Sequence, residues 1–172
     1  MREPFQLLAE YNKQTNLEVL SILEGLPQEQ LSKDLGSYYS SILGIMNHIL
    51  VTDATWIRRF ASNLPELNVV TPQLPAFELK TWKDIIWNRL SLFKPVRTSV
   101  DEVIGQVFRL VPEDKYNLKI RYQDYKGQEQ HKTVWVAFLH FFNHQTHHRG
   151  QVAVLLDQLS VENDFSNLIW KF

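Results

Sequence analysis

The chain has 172 residues, 44% of them hydrophobic and 12% aromatic, with a formal net charge of −1 at pH 7. That length and composition point to a single globular domain over residues 1–172 and argue against a disordered or fibrous chain. Near-neutral charge leaves no basic footprint for nucleic acid or an anionic membrane, and the absence of cysteine excludes disulfides, thiolate ligands and an intrinsic thiol nucleophile.

The segment Met1-Arg2-Glu3-Pro4-Phe5 carries no apolar leader region, and no stretch approaches about 18 uninterrupted apolar residues, so a cytoplasmic protein is expected. From Phe5 to Leu23 the apolar positions Phe5, Leu8, Leu17, Val19, Leu20 and Leu23 predict a first helix, closed by Gly25 and Pro27. Tyr11, Asn12 and Asn16 on it are read as solvated positions, ahead of a pocket role. Residues 28–37 read as a turn-rich link.

Ser40 or Ser41 can cap a second helix running to about Asn63, with Ile42, Ile45, Met46, Ile49, Leu50 and Ile57 as its buried stripe. His48 lies beside that stripe. Asp53 further along is read as a surface salt-bridge partner or a residue just behind a site. Residues 64–80 contain Pro65, Pro72 and Pro75 without a helical period and predict a long loop. The capping pattern Thr81-Trp82-Lys83-Asp84 predicts the start of a third helix. Its apolar period passes through Pro95, so one long helix kinked near Ser91 to Pro95 is expected, with a full break as the competing outcome. After Pro112, the alternation of Leu118, Ile120 and Tyr122 and the turn at Asp124-Tyr125-Lys126-Gly127 predict a β-hairpin. The last long helix opens near Thr133 and runs to about Leu159. The tail carries Phe165, Leu168, Ile169, Trp170 and Phe172, an apolar set expected to pack on the core or on a partner subunit.

Five of the six histidines fall between His131 and His148, and the sixth is His48. His140, His144 and His148 recur every four residues, which advances about 6 Å along a helix and about 40° around it. Two imidazoles at that spacing can close on one divalent cation, and a third ligand must then come from elsewhere in the chain. His48 is the remote histidine on another clear helix. A structural role for histidines on a half-apolar helix face is the competing reading.

The run Asn143-His144-Gln145-Thr146-His147-His148-Arg149-Gly150-Gln151, with Leu43-Gly44-Ile45-Met46-Asn47-His48-Ile49-Leu50 upstream, resembles the DinB family of metal-binding four-helix bundles. The resemblance covers nearly the whole chain. It implies an all-α four-helix bundle with a small hairpin before the last long helix, a homodimer, and a metal held by His48, His144 and His148. Three neutral imidazoles leave the ion its full charge and an open position. Zinc or nickel is the expected ion, with iron, copper or manganese also compatible. The family includes enzymes that add or transfer a low-molecular-weight thiol to an electrophilic small molecule, and this is the leading functional expectation. The alternatives are a metal-dependent hydrolase, which would need a carboxylate base such as Asp53, and a non-catalytic metal-binding dimeric scaffold. His140 and His147 are read as supporting residues, Arg149 as an anion clamp or an ion-pair partner. Gln151 is read as a hydrogen-bond partner for an imidazole and Gly150 as a close-packing position between helices.

Overall fold

The structure, a computed structural model, describes residues 2–172. Four long helices form the body: α1 (Arg2–Glu24), α3 (Ile42–Ala61), α4 (Leu90–Leu110) and α5 (Val134–Gln158). Around the bundle α1 packs on α4, α4 on α3, α3 on α5, and α5 on α1. A short α2 (Gln28–Ser32) occupies the link after α1, where it buries Leu31. Strands β1 (Lys119–Gln123) and β2 (Glu129–Thr133) pair antiparallel, Lys119 opposite Thr133, and Gly127 closes the turn at φ 74°. The expected all-α bundle with its hairpin before the last helix is therefore present.

The helix most fully enclosed is α3. Ser41 caps it by accepting a hydrogen bond from the Gly44 amide at 3.0 Å. Its expected stripe is buried, and so are Asn47, His48 and Asp53. Around Phe138 on α5, Phe5, Phe60, Phe108 and Tyr116 pack with ring centroids 4.8 to 5.5 Å away, joining all four long helices through one aromatic cluster. No helix among the described residues is long and apolar enough to cross a membrane.

The third long helix starts later than the capping pattern predicts. The Asp84 carboxylate does reach back, to the amides of Lys80 at 2.6 Å and Thr81 at 3.2 Å, but it closes a turn and no helix follows. A tertiary contact decides this. The Asn47 side chain holds both the N–H and the C=O of Trp87, at 2.9 and 3.0 Å, and keeps that backbone out of the helical ladder. Helix α4 then opens at Leu90, whose amide donates to Gln28 Oε1 at 3.1 Å. Pro95 sits inside α4, and the helix continues through it, as the unbroken apolar period requires.

The bundle interior also holds a polar layer. Arg97 on α4 is fully buried and donates to Asp53 on α3 at 2.6 Å and to Asp101 at 2.8 and 3.2 Å. Asn16 and Asn12 on α1 donate to Asp101 at 2.9 and 3.3 Å, and Gln145 on α5 donates to Asp53 at 2.9 Å. Arg149 is buried beside them and donates to Asn12. Tyr11, Asn12 and Asn16 are thus interior residues, not solvated ones, and Asp53 forms an interior ion pair, not a surface one. A lone buried charge is so costly that its partners must be buried with it. Burial pushes the Asp101 carboxyl up to about 6 and raises that of Asp53. It pulls against the Arg97 cation as well, but the two acids outweigh it and leave the Arg97 pKa raised.

The C-terminal tail divides. Phe165 packs on the core and its carbonyl accepts from Tyr11 Oη at 2.7 Å, while Ile169, Trp170 and Phe172 stand exposed at 74%, 80% and 58%.

Candidate metal centre

His48 comes from the middle of α3, and His144 and His148 from successive turns of α5, the helix packed against it. Each offers one nitrogen, and these three atoms lie within 4.8 Å of one another. His48 Nε2 and His144 Nε2 are 3.1 Å apart. Two nitrogens bound tetrahedrally to one zinc ion are separated by about 3.3 Å, from bond lengths of about 2.0–2.1 Å, so this pair already has the spacing of an edge of such a site. His148 Nδ1 meets Gln151 Oε1 at 2.7 Å, which leaves its Nε2 lone pair free for an ion, as expected for Gln151. The Nδ1 atoms of His48 and His144 are buried without a hydrogen-bond partner. The backbone of Trp82 approaches His48 closely enough to favour its proton slightly, but not in hydrogen-bond geometry. Two buried imidazoles and a half-buried one, facing one another without counter-charge, suit a cation between them.

The electrostatics agree. Burial, then the neighbouring His148, lowers the His48 pKa to about 4. Burial, then His148 and His48, lowers that of His144 to about 3. His148 is lowered by burial, with Gln151 opposing. All three are neutral at pH 7 and available as ligands.

Tyr39 is the residue that sequence reasoning does not single out. Its ring stacks on His48 with centroids 4.1 Å apart, and its hydroxyl lies 2.9 Å from His48 Nε2, at the nitrogen that also faces His144. It arrives on a tight turn before α3: Ser40 takes a left-handed φ of 64°, and the Tyr39 carbonyl presses on Gly44, where an added Cβ would meet it at 2.1 Å. Gly44 is therefore required by close approach. Burial raises the Tyr39 phenol to about 12, so it keeps its proton. An aromatic pair one residue removed from the capping Ser41 is its signal in the sequence.

Two of the three histidines, His48 and His144, open onto a cavity of about 490 Å³, walled also by Tyr38, Tyr39, Thr52, Trp56, Arg59, Trp82, Tyr122, Asp124, Tyr125 and His140. His140 lies on that wall, its ring 5.1 Å from Trp56 and 6.2 Å from His144, outside the triad. His147 is exposed and touches Gln151 at 3.4 Å. Arg149 points into the bundle interior and is no anion clamp for this cavity; its neighbours are Asn12, Thr146 and the Tyr11 ring. Gly150 is exposed, and a Cβ added there would meet nothing within 4 Å, so no helix approaches it closely. Asp53 is directed at Arg97 and Gln145 through its two oxygens and takes no part in the triad.

Comparison with known proteins identifies the family. The sequence profile described as DinB family matches residues 1–170. Protein DinB of Bacillus subtilis (strain 168) is 24% identical over 156 residues, covering 88% of this chain and 83% of that protein. The match spans nearly the whole chain, and the chain belongs to the DinB family.

Proposed function

We propose that His48, His144 and His148 hold one divalent ion, zinc or nickel first among the candidates, and that the site activates a low-molecular-weight thiol for attack on an electrophilic small molecule in the adjoining cavity. The observation that carries this is the convergence of three neutral imidazole nitrogens beside an open aromatic cavity. Such an ion, when bound, favours the anionic form of a thiol or water placed in its open position. The chain has no cysteine, so the sulfur belongs to a cosubstrate.

The chain's own residues supply placement and protons. Gln151 fixes the His148 ring through Nδ1. The Tyr39 phenol stays protonated and stands beside His48 Nε2, where it can donate a hydrogen bond to a developing anion. Trp56, Trp82 and Tyr122 give the cavity an apolar wall. In the reaction the thiol proton leaves and sulfur bonds to the electrophilic carbon. Then either a neighbouring atom of the substrate takes up a proton, completing an addition, or a leaving group departs, completing a transfer.

Hydrolysis is disfavoured because Asp53 is committed to Arg97. The exposed Ile169, Trp170 and Phe172 support a homodimer in which they are covered, a reading that sedimentation of wild type against Trp170→Glu tests.

The central experiment is elemental analysis of untagged protein. About one ion per chain, lost in His48→Ala, followed by metal-dependent conjugation of thiols to a panel of electrophiles, is the expected result. A folded wild type that takes up neither zinc nor nickel ends the proposal. Full metal occupancy without any conjugation leaves the scaffold reading.

A further inference from the structure

The cavity beside the triad has a second end. Helix α3 lays His48, Thr52, Trp56 and Arg59 along one wall. From His48 to Arg59 a helix advances about 16 Å and returns to within about 20° of the same direction. The cavity is thus a trough with the histidines at one end and a guanidinium at the other.

Arg59 is held rigidly there. Its Cζ lies 4.9 Å from the centroids of both Trp56 and Tyr122, and its Nη2 donates to the Gln123 carbonyl at 2.9 Å. No carboxylate among the described residues forms an ion pair with it. Asp124 lines the same cavity, but its Oδ1 accepts from the Lys126 and Gln128 amides and its Oδ2 from Gln130 Nε2. The Asp124 charge acts on Arg59 only through space, so this half-buried guanidinium, fixed by two rings, has no ion-pair partner among the described residues and is pre-oriented for a planar oxyanion. The walls between Arg59 and the triad are mainly rings: Trp56, Tyr122, His140 and Tyr39. A flat apolar body stacks on such walls, while a flexible polar chain would leave them uncovered.

We propose that this trough binds a flat, largely aromatic substrate bearing a carboxylate, with the anion clamped by Arg59 and the opposite, reactive end presented to the three histidines. The direction of binding rests on the function proposed above; the Arg59 subsite does not depend on it.

The test compares biphenyl-4-carboxylate with biphenyl-4-carboxamide by calorimetry, on chelator-treated and on zinc-loaded protein. A charge-assisted bidentate contact favours the carboxylate by about tenfold or more. That preference is expected in both metal states, is lost in Arg59→Gln and is partly kept in Arg59→Lys. Because Arg59 also ties the hairpin to α3, Asn63→Ala serves as the control. Asn63 holds the Arg121 backbone at 2.9 and 3.0 Å and leaves the cation in place, so this variant keeps the preference. Three results overturn the proposal. One is equal binding of the two probes to metal-free wild type. Another is a preference seen only with zinc and unaffected by Arg59→Gln, which puts the anion on the ion. The third is equal loss in Asn63→Ala and Arg59→Gln. An intact Arg59-dependent preference in a protein without metal-dependent turnover refutes the proposed reaction and leaves the subsite standing.

Discussion

Replacing Arg97 by methionine tests the buried polar layer most directly. The change keeps much of the side-chain volume but removes three hydrogen bonds, at 2.6, 2.8 and 3.2 Å, and strands two carboxylates that are 1% and 2% exposed. Removing one partner from a buried ion pair costs about 3–5 kcal/mol. With two acids left behind, the upper part of that range is expected at pH 8. The loss should shrink as pH falls. Arg97 is the group that pulls both carboxyl pKa values down against burial, so without it they rise further above their unfolded values. A raised carboxyl pKa gives stability that is full below the unfolded value near 3.8 and is lost as pH rises through the folded value, near 6 for Asp101 even with Arg97 present. The variant therefore recovers part of its deficit between pH 8 and pH 6. Urea unfolding of both proteins at the two pH values measures this. Adding Asp53→Asn and Asp101→Asn to Arg97→Met should restore about half the loss at pH 8, because neutral amides need no counter-charge. A deficit under about 1 kcal/mol at pH 8, or one that grows on acidification, refutes the reasoning.

Metal retention should persist well below the ordinary histidine range, because burial lowers His48 to about 4 and His144 to about 3. At these two nitrogens protons compete only as pH falls through those values, and burial lowers His148 as well, so zinc content after equilibrium dialysis is expected to hold at pH 6 and collapse near pH 4. Loss of the ion at pH 6 contradicts the burial argument. Gln151→Ala frees His148 Nδ1 and should weaken zinc binding by about 10–100-fold in a competition titration while the protein stays folded. Tyr39→Phe should leave zinc content unchanged and reduce conjugation by about 10²-fold if the phenol serves the developing anion; an unchanged rate assigns it a packing role only. Gly44→Ala forces a Cβ onto the Tyr39 carbonyl at 2.1 Å, so thermal melting should show a clear loss, and the carboxylate probe should bind a disturbed cavity less well.

Repetition at helical or strand spacing made most of the framework legible in the sequence. The apolar periods of α1, α3 and α5 placed those helices to within a few residues, and alternation around Asp124 to Gly127 placed the hairpin. Four-residue spacing put His144 and His148 on one face, and the motif's resemblance singled out His48 as the partner across the bundle, now 3.1 Å from His144. Tertiary structure decided what local signals cannot encode. Thr81 to Asp84 carries a sound capping pattern, yet Asn47, some forty residues earlier, holds Trp87 and delays the helix to Leu90. Asn12, Asn16 and Asp53 look like surface residues because polar side chains usually are. Only the meeting of α1, α3, α4 and α5 around Arg97 gives them partners, and a buried polar group is tolerated only where such partners converge. Tyr39 joins the cavity for the same reason: it lies at a turn, where no periodicity announces a site. Arg59 shares a helix face with His48, and the packing of the hairpin ring Tyr122 against it makes that face a cavity wall.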